Sequence, residues 1–283
     1  DTEVVLLIKH ALLAQMKDEG EKAEMYLHRA LKIADQEYGL KKLSKDEYLK
    51  AKIYIYDILA NNALTRQEFE KAEVLFKETM KGYLESGKGK TDNAMVEISL
   101  KLATIYAMQQ RDREAVQGYE FCINTQKEKL TKESNVDEDT KGFLGMALEG
   151  YGRYLLYKKQ MSLSLTMLTE SLEVAKSLLG DSAEQTLVIM NDLATAHLLN
   201  QDLQKAEEIL KTALRIAEKS DYHISATLYS NLGAVHLGRA EISETESACK
   251  KSLLLATRNS DQYAMQQAND CLKKVKELRK SSK

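Results

Sequence analysis

The sequence predicts an all-α protein, a right-handed α-solenoid of about six helical hairpins closed by a C-terminal capping helix. Three observations carry this prediction. Among 283 residues there is no Pro and only 13 Gly, little raw material for the turns of a β-rich fold. A stripe of small and apolar residues at offsets of four and three, the spacing of one helix face, recurs along the chain. A small residue stands twelve positions before each stripe begins.

The hairpins follow in order. Near 4–38, Ala11 precedes the stripe Ala23, Leu27, Ala30. Near 44–87, Ala60 precedes Ala72, Phe76, Thr79, and near 91–130, Ala103 precedes Ala115, Tyr119, Cys122. Near 138–178, Gly152 precedes the weaker stripe Ser164, Leu168, Ser171. Near 182–219, Ala194 precedes Ala206, Leu210, Ala213, and near 223–258, Gly233 precedes Thr245, Cys249, Ser252. The stripes start 49, 43, 49, 42 and 39 residues apart, yet the offset of twelve is constant. Two helices that interlock at close range fix the spacing within a hairpin, whereas the connectors between hairpins are free to vary. A last helix over 261–281 shows one apolar face, Met265, Ala268, Leu272, Val275 and Leu278, as a cap over the final stacking surface requires.

This pattern of small residues set against large ones resembles the tetratricopeptide repeat family over nearly the whole chain. The period is longer than the usual 34 residues, the fourth and sixth hairpins lack the central Ala, and the usual terminal Pro is missing. Ser171–Ala194, with its Leu-Gly-Asp turn, is similar to the longer repeat of kinesin light chains. The resemblance implies one repeat solenoid over 1–283 that binds a protein or peptide segment in its groove.

Composition narrows the function further. With 41 basic and 43 acidic residues the net charge is −2, which offers no basic surface for nucleic acid. No apolar run reaches the length of a membrane span. Position 1 is Asp, so a processed or excised piece is expected, with any targeting sequence outside it. Cys122, Cys249 and Cys271 are far apart and odd in number, and three free thiols are expected.

No catalytic, cofactor or metal site is expected. Ser86–Thr91 ends in Gly-Lys-Thr but has Leu84 where a phosphate-binding loop needs Gly, so it reads as a connector. Asp137–Gly142 begins like a calcium loop, but Lys141 and Leu148 occupy ligand positions. An acidic first helical turn accounts for it. His10, His28, His197, His223 and His236 lack a metal-ligand spacing, and His10, His197 and His236 are expected inside hairpins. The cations Lys273, Lys274, Lys276, Arg279, Lys280 and Lys283 suit the C-terminus of a soluble cap.

In stacked hairpins the first helix of each pair lines the groove. The residues expected there are Asp57, Asn61, Glu97, Lys101, Thr104, Glu149, Arg153, Asn191, Thr195, Ser230 and Asn231. They are polar and of both signs, able to hydrogen-bond a peptide. Asn61 and Lys101 fit part of the carboxylate clamp of co-chaperone repeats, but Asp57 and Gly150 do not.

Asp92–Tyr106, Arg113–Cys122, Met16–Glu19, Gly152–Tyr157 and Ser230–Leu232 resemble a mitochondrial branch of the tetratricopeptide repeat family. That resemblance implies the inner membrane, with the repeats facing the intermembrane space. It also implies association with respiratory complex III and a part in clearing fragments of its Rieske iron–sulfur subunit. The alternative reading is a cytosolic cargo or co-chaperone adaptor of the kinesin-light-chain type.

Overall fold

A computed structural model describes residues 2–132, 137–220 and 222–281; Lys283 of the basic run lies outside them. Thirteen helices account for the regular structure of the described residues: α1 (Glu3–Met16), α2 (Gly20–Gly39), α3 (Lys45–Thr65), α4 (Phe69–Glu85), α5 (Asn93–Met108), α6 (Asp112–Lys132), α7 (Glu138–Tyr157), α8 (Met161–Leu179), α9 (Glu184–Leu199), α10 (Leu203–Ser220), α11 (Ser225–Gly238), α12 (Ile242–Arg258) and α13 (Gln262–Ser281). The first twelve form six hairpins and α13 follows as the expected extra helix. By contact the chain divides into two compact units, Asp1–Thr125 and Gln126–Lys283.

The offset of twelve is a packing relation. Ala11, Ala60, Ala103 and Ala194 are fully buried, as are their counterparts Ala23, Ala72, Ala115 and Ala206. In the fourth hairpin the missing Ala is replaced by a hydroxyl with a partner. Ser164 Oγ donates to the Gly152 carbonyl at 2.8 Å, and Ser171 Oγ donates to the Gly145 carbonyl at 3.0 Å. Both bonds cross from one helix of the hairpin to the other. In the sixth hairpin Ser252 Oγ crosses to the Ala226 carbonyl at 2.8 Å, while Thr245 Oγ1 bonds back to Glu241 of its own chain turn. A buried hydroxyl left unsatisfied would cost more than the bond contributes, so these serines are accommodated by the backbone that faces them.

Each hairpin turns through the same backbone motif. Asp18, Gln67, Gln110, Lys159, Gln201 and Ala240 all have φ near +60°. In the first, Glu19 N–H donates to Ala14 C=O at 2.9 Å and Asp18 N–H to Gln15 C=O at 3.0 Å. That pair of bonds is the Schellman closure, which satisfies carbonyls left open at a helix end. The same pairing recurs at the other five turns, for example Glu241 to His236 at 2.9 Å and Ala240 to Leu237 at 3.0 Å. None of the six uses Gly at the left-handed position.

A second recurrence ties hairpins together on the outside. Glu24, Glu73, Glu207 and Glu246 each follow the first stripe residue of their hairpin. They pair with Arg66 at 3.2 Å, Arg111 at 2.7 Å, Arg239, and Arg279 at 2.5 Å respectively. The first three arginines come from the turn of the next hairpin, and Arg279 comes from α13. In each pair the glutamate is largely covered and the arginine only partly exposed, so solvent screens them incompletely, and they repeat in register.

Two features of the structure depart from what the sequence predicts. Cys249 and Cys271 are joined in a disulfide, with Cα atoms 6.3 Å apart and 22 residues between them in sequence. Only Cys122 is free, and it is buried. Spacing rules look for local frameworks, whereas this pair is made by α13 folding back onto α12. His10 is exposed rather than interior, with its ring 5.5 Å from that of Tyr26; His197 and His236 are half-buried and reach Asp202 and Glu241. Residues 86–92 do form the connector between α4 and α5, and Asp137 caps α7 by accepting from Thr140 N–H at 2.7 Å.

Candidate protein-binding face

The residues expected to line a groove lie on α3 and α5 in the first unit and on α7, α9 and α11 in the second. Their positions are best counted from the small residue of each hairpin. The residue three before it and the residue one after it share a helix face. They approach the residue two before the small position of the next hairpin.

In the first unit Asp57, Asn61 and Lys101 occupy these three places. Asn61 Nδ2 donates to Asp57 Oδ2 at 3.0 Å, and Lys101 Nζ lies 4.0 Å from Asp57 and 2.8 Å from Glu97. Burial pushes the Asp57 carboxyl up, with Lys101 opposing and Glu97 adding to the rise. Thr104 is exposed, with its hydroxyl 3.1 Å from the Leu100 carbonyl and 3.4 Å from the Tyr119 hydroxyl. Beside Asp57 is an open recess of about 450 Å³ walled by Tyr54, Tyr83, Ile53 and Lys88. Tyr54 is 48% exposed, so a docking side chain would meet an aromatic wall with a carboxylate at its edge.

In the second unit the same places hold Glu149, Arg153 and Asp192. Arg153 bridges both carboxylates, to Glu149 at 2.8 Å and to Asp192 at 2.5 Å. Gln185 Nε2 donates to the other oxygen of Glu149 at 2.8 Å. The next repetition is Asn191, Thr195 and Asn231. Asn231 Nδ2 donates to Asn191 Oδ1 at 2.8 Å and is 3.3 Å from Thr195 Oγ1. Ser230 is half-buried. Asn191 also hydrogen-bonds Asp192, so one polar chain runs from Gln185 through Glu149, Arg153, Asp192 and Asn191 to Asn231. Many of the expected residues therefore spend polar groups on one another and fix the register of neighbouring hairpins.

Asp192, Gln185, Tyr54 and Tyr83 were not anticipated. Asp192 lies one position from Asn191, and a signal was available: it is 39 residues after Arg153 and of opposite charge, close to the repeat length.

Burial raises the carboxyl pKa of Glu149, against the attraction of Arg153, and raises that of Asp192 for the same reason. A carboxyl whose pKa rises on folding holds its proton more tightly in the native state. Its stabilising effect is complete below the unfolded-state value and is lost as pH climbs through the folded-state value. Glu149→Gln is therefore expected to make the fall in stability above pH 4.5 shallower, read from urea midpoints across a pH series. A fall as steep as that of the wild type would refute the assignment.

Among the described residues no group of three or more His, Cys, Asp and Glu is placed to hold a metal, and no helix is long and apolar enough to cross a membrane. The sequence profile of the tetratricopeptide repeat matches residues 143–219. The chain is 36% identical to human tetratricopeptide repeat protein 19, mitochondrial, over 292 aligned positions, covering 100% of this chain and 74% of that protein. It belongs to that family. A Drosophila melanogaster homologue of the same protein is 26% identical, covering 98% and 72% of the two chains. Among solved structures, BtubC from P. vanneervenii superposes with a TM-score of 0.68 at 18% identity, covering 85% of this chain and 92% of that one. A Rap protein complexed with competence and sporulation factor gives a TM-score of 0.61 at 13% identity, covering 99% and 87%. At these identities the structures bear on fold alone, and they agree with the helical-repeat architecture of the family.

Proposed function

We propose that the chain is a non-catalytic, protein-binding adaptor of mitochondria that acts in the assembly and maintenance of respiratory complex III. Its repeats face the intermembrane space at the inner membrane and help clear fragments of the Rieske iron–sulfur subunit. The observation that carries this reading is identity at 36% along the full chain with a mitochondrial relative. The polar first helices support a binding role, since they present amides and paired charges of both signs with aromatic relief at Tyr54. The proposed contacts are Asp57, Glu97 and Thr104 in the first unit and, separately, Arg153 in the second. A cytosolic cargo adaptor is the lesser reading, because its support is a likeness of repeat fold without comparable identity. Affinity capture of the tagged chain from detergent-solubilised mitochondria is expected to recover complex III subunits, including Rieske fragments. Recovery of the tagged chain without them would sink the proposal.

A further inference from the structure

The stripe's middle position is filled by Leu27, Phe76, Tyr119, Leu168 and Leu210 in the first five hairpins, each with 2% exposure or less. In the sixth it is Cys249, also fully buried. A thiol cannot fill the volume of a Leu or an aromatic ring, and a void there would be destabilising. The space is taken instead by a second sulfur, brought in by Cys271 of α13. A Cβ placed on Gly233 would stand 2.6 Å from Cys249 Sγ and 3.7 Å from Cys271 Sγ. Gly233 thus occupies a position that is Ala in four of the other hairpins, and its missing methyl makes room for the sulfur pair.

Apart from the sulfur pair, the fully buried apolar side chains of α13 are Ala264, Ala268 and Val275, mostly single methyl groups, with Met265, Leu272 and Leu278 half-buried beside them. An ion pair from Arg279 to Glu246 is more than half exposed on the arginine side, where such pairs contribute little.

We propose that the Cys249–Cys271 disulfide is an oxidative modification installed by thiol–disulfide exchange, that it completes the core of the sixth hairpin, and that the capping helix α13 stays docked only while it is closed. Cys271 is the half-exposed member of the pair and is the point of entry. Its thiolate attacks the disulfide of an oxidising partner, forming a mixed disulfide and expelling one partner thiolate, which takes up the Cys271 proton. The Cys249 thiolate then attacks Cys271 Sγ, forming the intramolecular bond. The second partner thiolate leaves and takes up the Cys249 proton. Two thiols are oxidised and one disulfide is reduced. Such a bond persists in an oxidising compartment. Cys122 lies on α6, and burial pushes its thiol up to about 12, so it remains protonated and does not compete.

The test uses the full chain equilibrated with excess oxidised glutathione, then denatured and alkylated. One alkylated cysteine is expected, at Cys122, and all three after dithiothreitol. Reduction of the native chain is expected to speed amide exchange along α13 about tenfold or more, with α1–α4 unchanged. A Cys249→Ser, Cys271→Ser variant should show the fast exchange from the start and ignore dithiothreitol. Three alkylated cysteines after glutathione, or exchange in α13 that reduction does not alter, would overturn the proposal. Neither readout involves complex III, so this inference and the adaptor reading can fail separately.

Discussion

Phe76→Ala is expected to cost the first unit about 3–5 kcal/mol of stability. Phe76 is the largest of the fully buried side chains and lies among Ala60, Ala63, Ala72, Ile98, Leu102 and Ile105. Half of those neighbours are alanines fixed on helices, and they have no longer rotamer with which to fill the space. The cavity would therefore stay open, which is the condition under which large-to-small substitutions cost most. The Lys101 ammonium, 5.5 Å from the ring centroid, would also lose its aromatic face. Urea denaturation monitored by circular dichroism measures the loss; a change under about 1 kcal/mol would mean that the second and third hairpins can collapse around the gap.

The second large effect comes from adding volume. A Cβ on Gly152 would lie 2.7 Å from Leu168 Cγ, 2.8 Å from its Cδ2 and 3.4 Å from its backbone nitrogen. Leu168 is fully buried and cannot swing away, and the backbone nitrogen moves only with α8 itself. Gly152→Val is expected to destabilise the second unit by about 3 kcal/mol, although Gly is otherwise the poorer helix former. Leu168→Ala in the same chain should recover part of that loss, because the two side chains compete for one space. Strict additivity in the double-mutant cycle would show that Gly152 is required for some other reason.

The fixed offset of twelve was legible because it is a steric relation between two residue types, and every member of it is buried. The pairing of hairpins was legible only in part. Asp57, Lys101, Arg153 and Asn231 lie on α3, α5, α7 and α11, but their mutual bonds depend on how one hairpin seats on the next. Asp192 escaped because its signal is a charge complement one repeat away, not a feature of its neighbours. The Cys249–Cys271 bond escaped for a similar reason: nothing near either cysteine marks it, and only the docking of α13 brings the sulfurs together. The turns hid a different kind of information. Their left-handed residues are Asp, Gln, Lys and Ala, of which only Asp is enriched in that conformation.

Those turns have a consequence for how the chain acquires its shape. Without a glycine or asparagine at any of the six left-handed positions, only the turn at Asp18 carries a residue type that favours the bend, and the other five are not biased towards closure before their helices meet. A left-handed L-residue costs roughly 1–2 kcal/mol, so in the unfolded chain these bends are disfavoured. Hairpin formation is then expected to be led by the helices, through contacts between residues only twelve apart such as Ala60 and Ala72, with the bend drawn in last. Contacts so local close cheaply and quickly. The letter at the bend is left nearly free to drift, which is why six hairpins of one geometry can carry turns so different in spelling.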